Sequence, residues 1–206
     1  FLLVNKTNLN IPSTYIKFEY DNHQLYSDRL ISFLESLNEY EYIFFDHEDM
    51  FLYDNPDYEE INSYLDLLFK KKYDYIRLIK STNCKFKNIE NYKTLFEISF
   101  NSKWIFSIQP SFWNRLKLLE VISKNKNCNG WELEIKSQKI LKKLKIKSAF
   151  SHRQGNKRGL HHFDNDIYPY IATAIIKGRW NTKEYNIELQ ELFNNYKINP
   201  IFRGNI

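Results

Sequence analysis

Tyr42-Ile43-Phe44-Phe45-Asp46-His47-Glu48-Asp49 is the stretch on which the fold of this chain turns. Four apolar residues, aromatic and β-branched, read as a short buried strand, and the polar quartet ends it. Three carboxylates at one strand end repel one another unless a cation is shared among them. A divalent ion is the usual one, because hard cations take oxygen ligands and also bridge phosphates. A solvated acidic turn accommodates the same four residues, so the neighbouring segments have to separate the two readings.

On the N-terminal side, residues 1–4 and 15–19 read as short strands, and Leu30, Leu34 and Leu37 recur at helical spacing behind Ser27, a good N-cap. On the other side, Asn55-Pro56 is a helix start, continued on one face by Ile61, Tyr64, Leu65 and Leu68. Residues 73–79 and 104–108 read as further strands. Pro110 opens a helix with Phe112, Leu116 and Leu119 inward. Residues 131–144 form a helix after the Asn129-Gly130 turn, and a last amphipathic helix follows Thr182 with Tyr185, Leu189, Leu192, Phe193 and Tyr196. Residues 151–166 are polar and read as a mobile loop. Strands alternating with helices predict an α/β sandwich with a mainly parallel central sheet flanked by helices. In such sheets ligands collect at the carboxyl ends of strands, where residues 46–49 lie.

The 206 residues suffice for one domain spanning 1–206. A composition of 43% hydrophobic and 27% charged residues excludes a disordered chain. Cys84 and Cys128 are too few for a disulfide framework, which points to a reducing compartment. No run is long enough to cross a bilayer. The expected location is therefore the cytoplasm (of a bacterium, or of a host cell for a viral protein), with peripheral attachment to a membrane as the open alternative. The chain opens on Phe1 rather than Met, so it reads as a fragment or as trimmed at its N-terminus. The formal charge of +5 is uneven: between Lys136 and Arg179 eleven Lys and Arg face only Asp164 and Asp166. An acidic half and a basic half suit a phosphorylated ligand, with Lys139, Lys142, Lys143 and Lys145 as a plain solvent face.

Five stretches fall in one order: Tyr26-Ser27-Asp28-Arg29-Leu30, Phe45-Asp46-His47-Glu48-Asp49-Met50, Gln109-Pro110-Ser111-Phe112-Trp113-Asn114, Trp131-Glu132-Leu133-Glu134 and Ala174-Ile175-Ile176-Lys177-Gly178-Arg179-Trp180-Asn181. Over roughly residues 15–204 this series resembles glycosyltransferase-like proteins with the nucleotide-sugar-binding GT-A fold, found in bacterial surface-polysaccharide loci and large DNA viruses. The resemblance implies transfer of a sugar from a UDP- or GDP-linked donor to a glycan or glycolipid hydroxyl, with no nucleic acid as partner. It puts the quartet in the place of an Asp-x-Asp-type motif, where Asp46, Glu48 and Asp49 would hold Mn2+ or Mg2+ against the diphosphate. Asp46-x-Glu48 and Glu48-Asp49 both match, and neither is a clean Asp-x-Asp. A metal so held would neutralise the leaving diphosphate.

The resemblance also makes residues 131–134 an acceptor-side acidic motif, beside Trp131. Glu132 and Glu134 fall two apart, so on a helix they face different sides. Glu134 is preferred as general base, and Glu132 as a solvated or paired first-turn acid. From the residues themselves, Gln109 and Trp113 are candidates to meet a sugar, Trp113 by stacking, with core packing as its equal alternative. Lys177 and Arg179 around Gly178 suit a diphosphate, with Arg153, Lys157 and Arg158 as weaker candidates. His161 and His162 are candidate metal ligands, His162 first. Two rival functions stay open: a metal-dependent nuclease of restriction-like type built on Glu134-Ile135-Lys136, and a non-catalytic sugar- or nucleotide-binding module.

Overall fold

The computed structural model describes residues 1–5 and 11–206. Strands β1 (Leu2–Asn5) and β2 (Lys17–Tyr20) pair in parallel as a sheet of their own. Helix α1 (Tyr26–Ser36) buries Leu30, Ile31 and Leu34, and strand β3 (Tyr42–Phe45) then delivers the acidic quartet. Helix α2 (Tyr58–Phe69) is capped by Asp57, whose carboxylate accepts the Glu60 N–H at 3.0 Å. Strands β4 (Tyr75–Arg77), β5 (Lys80–Ser81), β6 (Phe86–Ile89), β7 (Tyr92–Ile98) and β8 (Ser111–Asn114) follow, then helices α3 (Arg115–Ser123) and α4 (Gly130–Lys143). The C-terminal third holds β9 (Ser148–Ser151), the two-residue strands β10 (Lys157–Arg158), β11 (His162–Phe163), β12 (Ile175–Ile176) and β13 (Arg179–Trp180), helix α5 (Thr182–Tyr196) and a 3-10 turn at Pro200–Phe202.

The main sheet has six strands in the order β3-β8-β4-β9-β7-β6. Only β4 and β9 run parallel, and every other neighbouring pair is antiparallel. The architecture is thus mixed α/β, and the expectation of a mainly parallel sheet is corrected. The cause is β8. Pro110 opens a strand rather than a helix, Ser111 and Trp113 alternate inward, and the strand inserts antiparallel between β3 and β4. The helix starts only after Asn114, whose side chain caps it by accepting the Lys117 N–H at 3.1 Å. Leu116, expected inward, is consequently exposed, while Leu118, Val121 and Ile122 face the core.

Alternation along the strands supplies two cores. Tyr75, Trp113 and Phe150 face α1, α3 and α4, whereas Ile76, Leu95 and Ala149 face α2 and residues 167–172. Fully burying Leu34, Leu118 or Leu133 contributes about 2 kcal/mol each, and truncating one to Ala costs about 2–5 kcal/mol through the cavity it leaves. A third cluster packs α5 on Trp180 and Ile171. No helix among the described residues is long and apolar enough to cross a membrane.

Three local expectations change as well. Residues 104–108 form no strand: the Gln138 side chain accepts the Ile105 and Phe106 N–H groups, and Glu134 accepts that of Ile108, so α4 takes the place of a ladder partner. Ser27 lies inside α1, where its hydroxyl accepts the Cys128 N–H at 2.9 Å and ties the helix to the entrance of α4. Residues 151–166 hold the β10–β11 hairpin, which pairs with β5 and is anchored by Arg158 to Asp164 and Glu188.

Candidate functional site

The quartet after β3 closes on a basic group of its own. His47 Nδ1 lies 2.9 Å from Asp49 Oδ1 and 3.0 Å from Glu48 Oε2. Burial pulls the His47 pKa down, but its hydrogen bonds to Asp49 and Glu48 outweigh this and it is pushed up to about 10. The same contact holds Glu48 below its ordinary value. His47 is therefore an imidazolium that offsets part of its neighbours' negative charge. Asp46 is held apart from them: its carboxylate accepts the His47 backbone N–H at 2.8 Å and the Tyr168 hydroxyl at 3.3 Å.

Glu134 sits in the first turns of α4 and is carried to the same region. Its Oε1 accepts the Ile108 N–H at 2.6 Å. Burial raises its pKa, opposed by that hydrogen bond and by the charges of Arg77 and His161. Tyr26 joins it to the quartet. The Tyr26 ring lies 6.0 Å from that of His47, and its hydroxyl pKa is driven up by burial, then by Glu48, Glu134 and Asp49. That hydroxyl is buried and has no hydrogen-bond partner among the described residues. Glu132, in contrast, closes a capping box: Asn129 accepts the Glu132 N–H at 2.9 Å and Glu132 accepts the Asn129 N–H at 3.1 Å. Its carboxylate works as a helix cap, so a catalytic role for Glu132 has no geometric support.

Arg77, at the end of β4, is the residue that sequence reasoning missed. It is fully buried, its Nε and Nη1 have no partner among the described groups, and Nη2 reaches only Cys84 Sγ at 3.4 Å. A buried guanidinium without a carboxylate is costly to the fold. Its charge acts on Glu134, Tyr75 and Tyr170. The signal lay in the sequence: Tyr75-Ile76-Arg77-Leu78-Ile79 puts one charge inside an apolar run. Tyr168 and Tyr170 were missed too. Tyr170 donates to Gln109 Oε1 at 2.7 Å while Tyr168 holds Asp46, so Gln109 does reach this neighbourhood.

Other expected residues fall elsewhere. Trp113 is 1% exposed, stacked on Tyr75 at 3.9 Å, with its Nε1–H donated to Ser111 Oγ at 3.1 Å; it is core and presents no face to a sugar. Trp131 is exposed beside Glu132 at the start of α4. Lys177 and Arg179 sit at the β12–β13 hairpin turn, with no described interaction joining them to Asp46, Glu48 or Glu134. Arg153 and Arg158 are already paired, with Asp57, Glu60 and Asp166 and with Asp164 and Glu188. His162 Nε2 meets the Tyr185 hydroxyl at 2.7 Å and its pKa falls to about 4, chiefly by burial, so it serves packing against α5 rather than metal ligation.

The donor set as arranged does not fit a divalent ion. Asp46 turns to Tyr168 while Glu48 and Asp49 turn to His47. Among the described residues no three His, Cys, Asp or Glu side chains converge to hold a metal. A wide cleft of about 480 Å3 shares none of these residues; Asp54, Asp164 and Asp166 line it, a poor wall for a diphosphate. What the Glu134 region offers chemically is a half-buried carboxylate with a raised pKa, the charge of Arg77 acting on it, and beside it an acidic turn whose charge His47 offsets only in part. Neither a family model nor a curated protein matches the chain.

Proposed function

We propose that the protein is a glycosyltransferase of GT-A type, moving a sugar from a UDP- or GDP-linked donor to a hydroxyl of a glycan or glycolipid. The observation that carries this reading is Glu134: a half-buried carboxylate with a raised pKa that shares Tyr26 with the acidic turn and feels the charge of Arg77. Strong perturbation by burial plus specific charges is characteristic of acid–base residues. Glu134 Oε1 is fixed by the Ile108 N–H, and Oε2 makes no hydrogen bond with a described residue. The acceptor hydroxyl gives its proton to that oxygen while its own oxygen bonds to the anomeric carbon. The bond from that carbon to the diphosphate breaks, and the diphosphate leaves with the electron pair. The charge of Arg77 favours ionised Glu134 at neutral pH.

A second reading, a nucleotide-sugar-binding module without catalysis, is favoured by His47, which already occupies the place of a shared cation. The nuclease reading loses its basis: Glu134 and Lys136 lie on helix α4, not on a strand, and Lys136 Nζ is drawn to Cys128 Sγ at 3.3 Å. Titration with UDP, GDP and a short DNA duplex, each with and without manganese, tests the proposal. Nucleoside diphosphate binding without duplex binding supports it; duplex binding alone overturns it.

A further inference from the structure

The most exposed apolar side chains of the described chain belong to its last turn. Ile201 is 84% and Phe202 91% exposed on the 3-10 turn Pro200–Phe202. This turn is tied to the β12–β13 hairpin. The Trp180 N–H donates to the Gly204 carbonyl at 2.9 Å, the Ile206 N–H to the Trp180 carbonyl at 3.0 Å, and Arg203 Nη1 to the Gly178 carbonyl at 3.3 Å. The Arg203 guanidinium also lies over the Trp180 ring at 5.4 Å. Hairpin and turn thus form one surface. Residues 175–181 and 194–206 contain Lys177, Arg179, Lys197 and Arg203 and no Asp or Glu. Of the acids on α5, Glu184 is engaged by Asn181 and Glu188 by Arg158, while Glu191 stays open to solvent.

We propose that this surface docks onto an anionic lipid bilayer, with Ile201 and Phe202 entering the headgroup–acyl boundary and the four cations meeting lipid phosphates and carboxylates. Two side chains standing out from a single turn suit insertion into a deformable medium. Tyr196, Ile198 and Ile206 are exposed on the same stretch, but Lys197 and Arg203 fall among them, so it lacks the charge-poor core that a stable protein interface carries. Cations ringing an apolar tip match an anionic surface, the combination that binds at membrane interfaces. The arrangement also gives a role to Lys177 and Arg179, which no described interaction joins to the acidic site.

Vesicle co-sedimentation of the full chain tests this independently of any transfer activity. The expected result is binding to vesicles containing about one-third phosphatidylserine, weakened by salt, and none to pure phosphatidylcholine. Ile201→Ser with Phe202→Ser, and separately Lys177→Glu with Arg179→Glu, should each lower that binding at least about tenfold with unchanged thermal stability, since these side chains are solvent-facing. Binding to neither vesicle, equal binding to both, or binding indifferent to the substitutions overturns the proposal. So does a dimer in solution that Ile201→Ser with Phe202→Ser dissociates while the wild type ignores vesicles, which would make the surface an interface between copies.

Discussion

Replacing Arg77 by methionine should make the protein more stable and less active at once. Methionine keeps most of the apolar stem and removes the charged head. In the native fold Nε and Nη1 are buried without partners, and an unsatisfied buried donor costs about 1–3 kcal/mol. Against that gain stand the long contact with Cys84 Sγ, the approach of the guanidinium to the Phe150 ring at 5.8 Å, and the loss of Glu134's counter-charge. A ring contact of this kind is worth about 0.5–2 kcal/mol. The balance favours the variant by about 1 kcal/mol, which for a chain of this size raises the melting temperature by about 2–4 °C. The sign on activity is opposite. Arg77 lowers the Glu134 pKa, so without it Glu134 protonates at higher pH and the acid limb of the pH–rate profile moves up. Thermal melting and nucleotide release from UDP- and GDP-sugars across pH read the two effects separately. A melting temperature lowered by more than about 4 °C with an unmoved pH profile would refute the reasoning and make Arg77 a structural residue.

Trp113→Ala should cost about 3–5 kcal/mol, as expected for an aromatic stacked in the core, and leave nucleotide affinity of the folded protein unchanged; calorimetry checks both. His162 has a folded pKa of about 4, below the ordinary 6.5, so the unfolded chain takes the proton first as pH falls and stability is lost through that window. Between about pH 7 and 5 the wild type should therefore lose about 2 kcal/mol more than His162→Gln, measured by denaturant titration. Manganese alone should bind no tighter than about the millimolar range, because the quartet carboxylates diverge. The double variant Glu48→Ala, Asp49→Ala removes two carboxylates from beside His47, so UDP or GDP affinity should hold or rise, and an about tenfold loss that appears only with manganese returns the quartet to a metal-holding role.

How far the sequence carried the fold depends on what each segment packs against. β3 and its polar ending, the α4 helix after the Asn129-Gly130 turn, and the apolar face of α5 are local patterns, and they appear where the residues place them. β8 was not legible, because proline before an aromatic run opens a helix or a strand equally well and only the ladders with β3 and β4 decide. Residues 104–108 are as apolar as a strand, yet their N–H groups go to Gln138 and Glu134, partners about 30 residues on by sequence number. The site was half legible. The quartet stood out by its local chemistry and Glu134 by the resemblance, whereas Tyr168 comes to Asp46 from 122 residues away and Arg77 has no local motif beyond a charge in an apolar strand. The histidine between the acids was not read as their partner, although it lies within the quartet itself.

The transfer proposal stands or falls most directly on Glu134→Gln. Glutamine keeps the size and still accepts the Ile108 N–H, but it takes no proton. With the UDP- or GDP-sugar that the wild type turns over, the variant should bind nucleotide with unchanged affinity and release product about a hundredfold to ten-thousandfold more slowly, while Glu132→Gln, at the helix cap, should stay near wild type. Equal rates for Glu134→Gln and wild type, or a product that retains the donor's anomeric configuration by NMR, would contradict it.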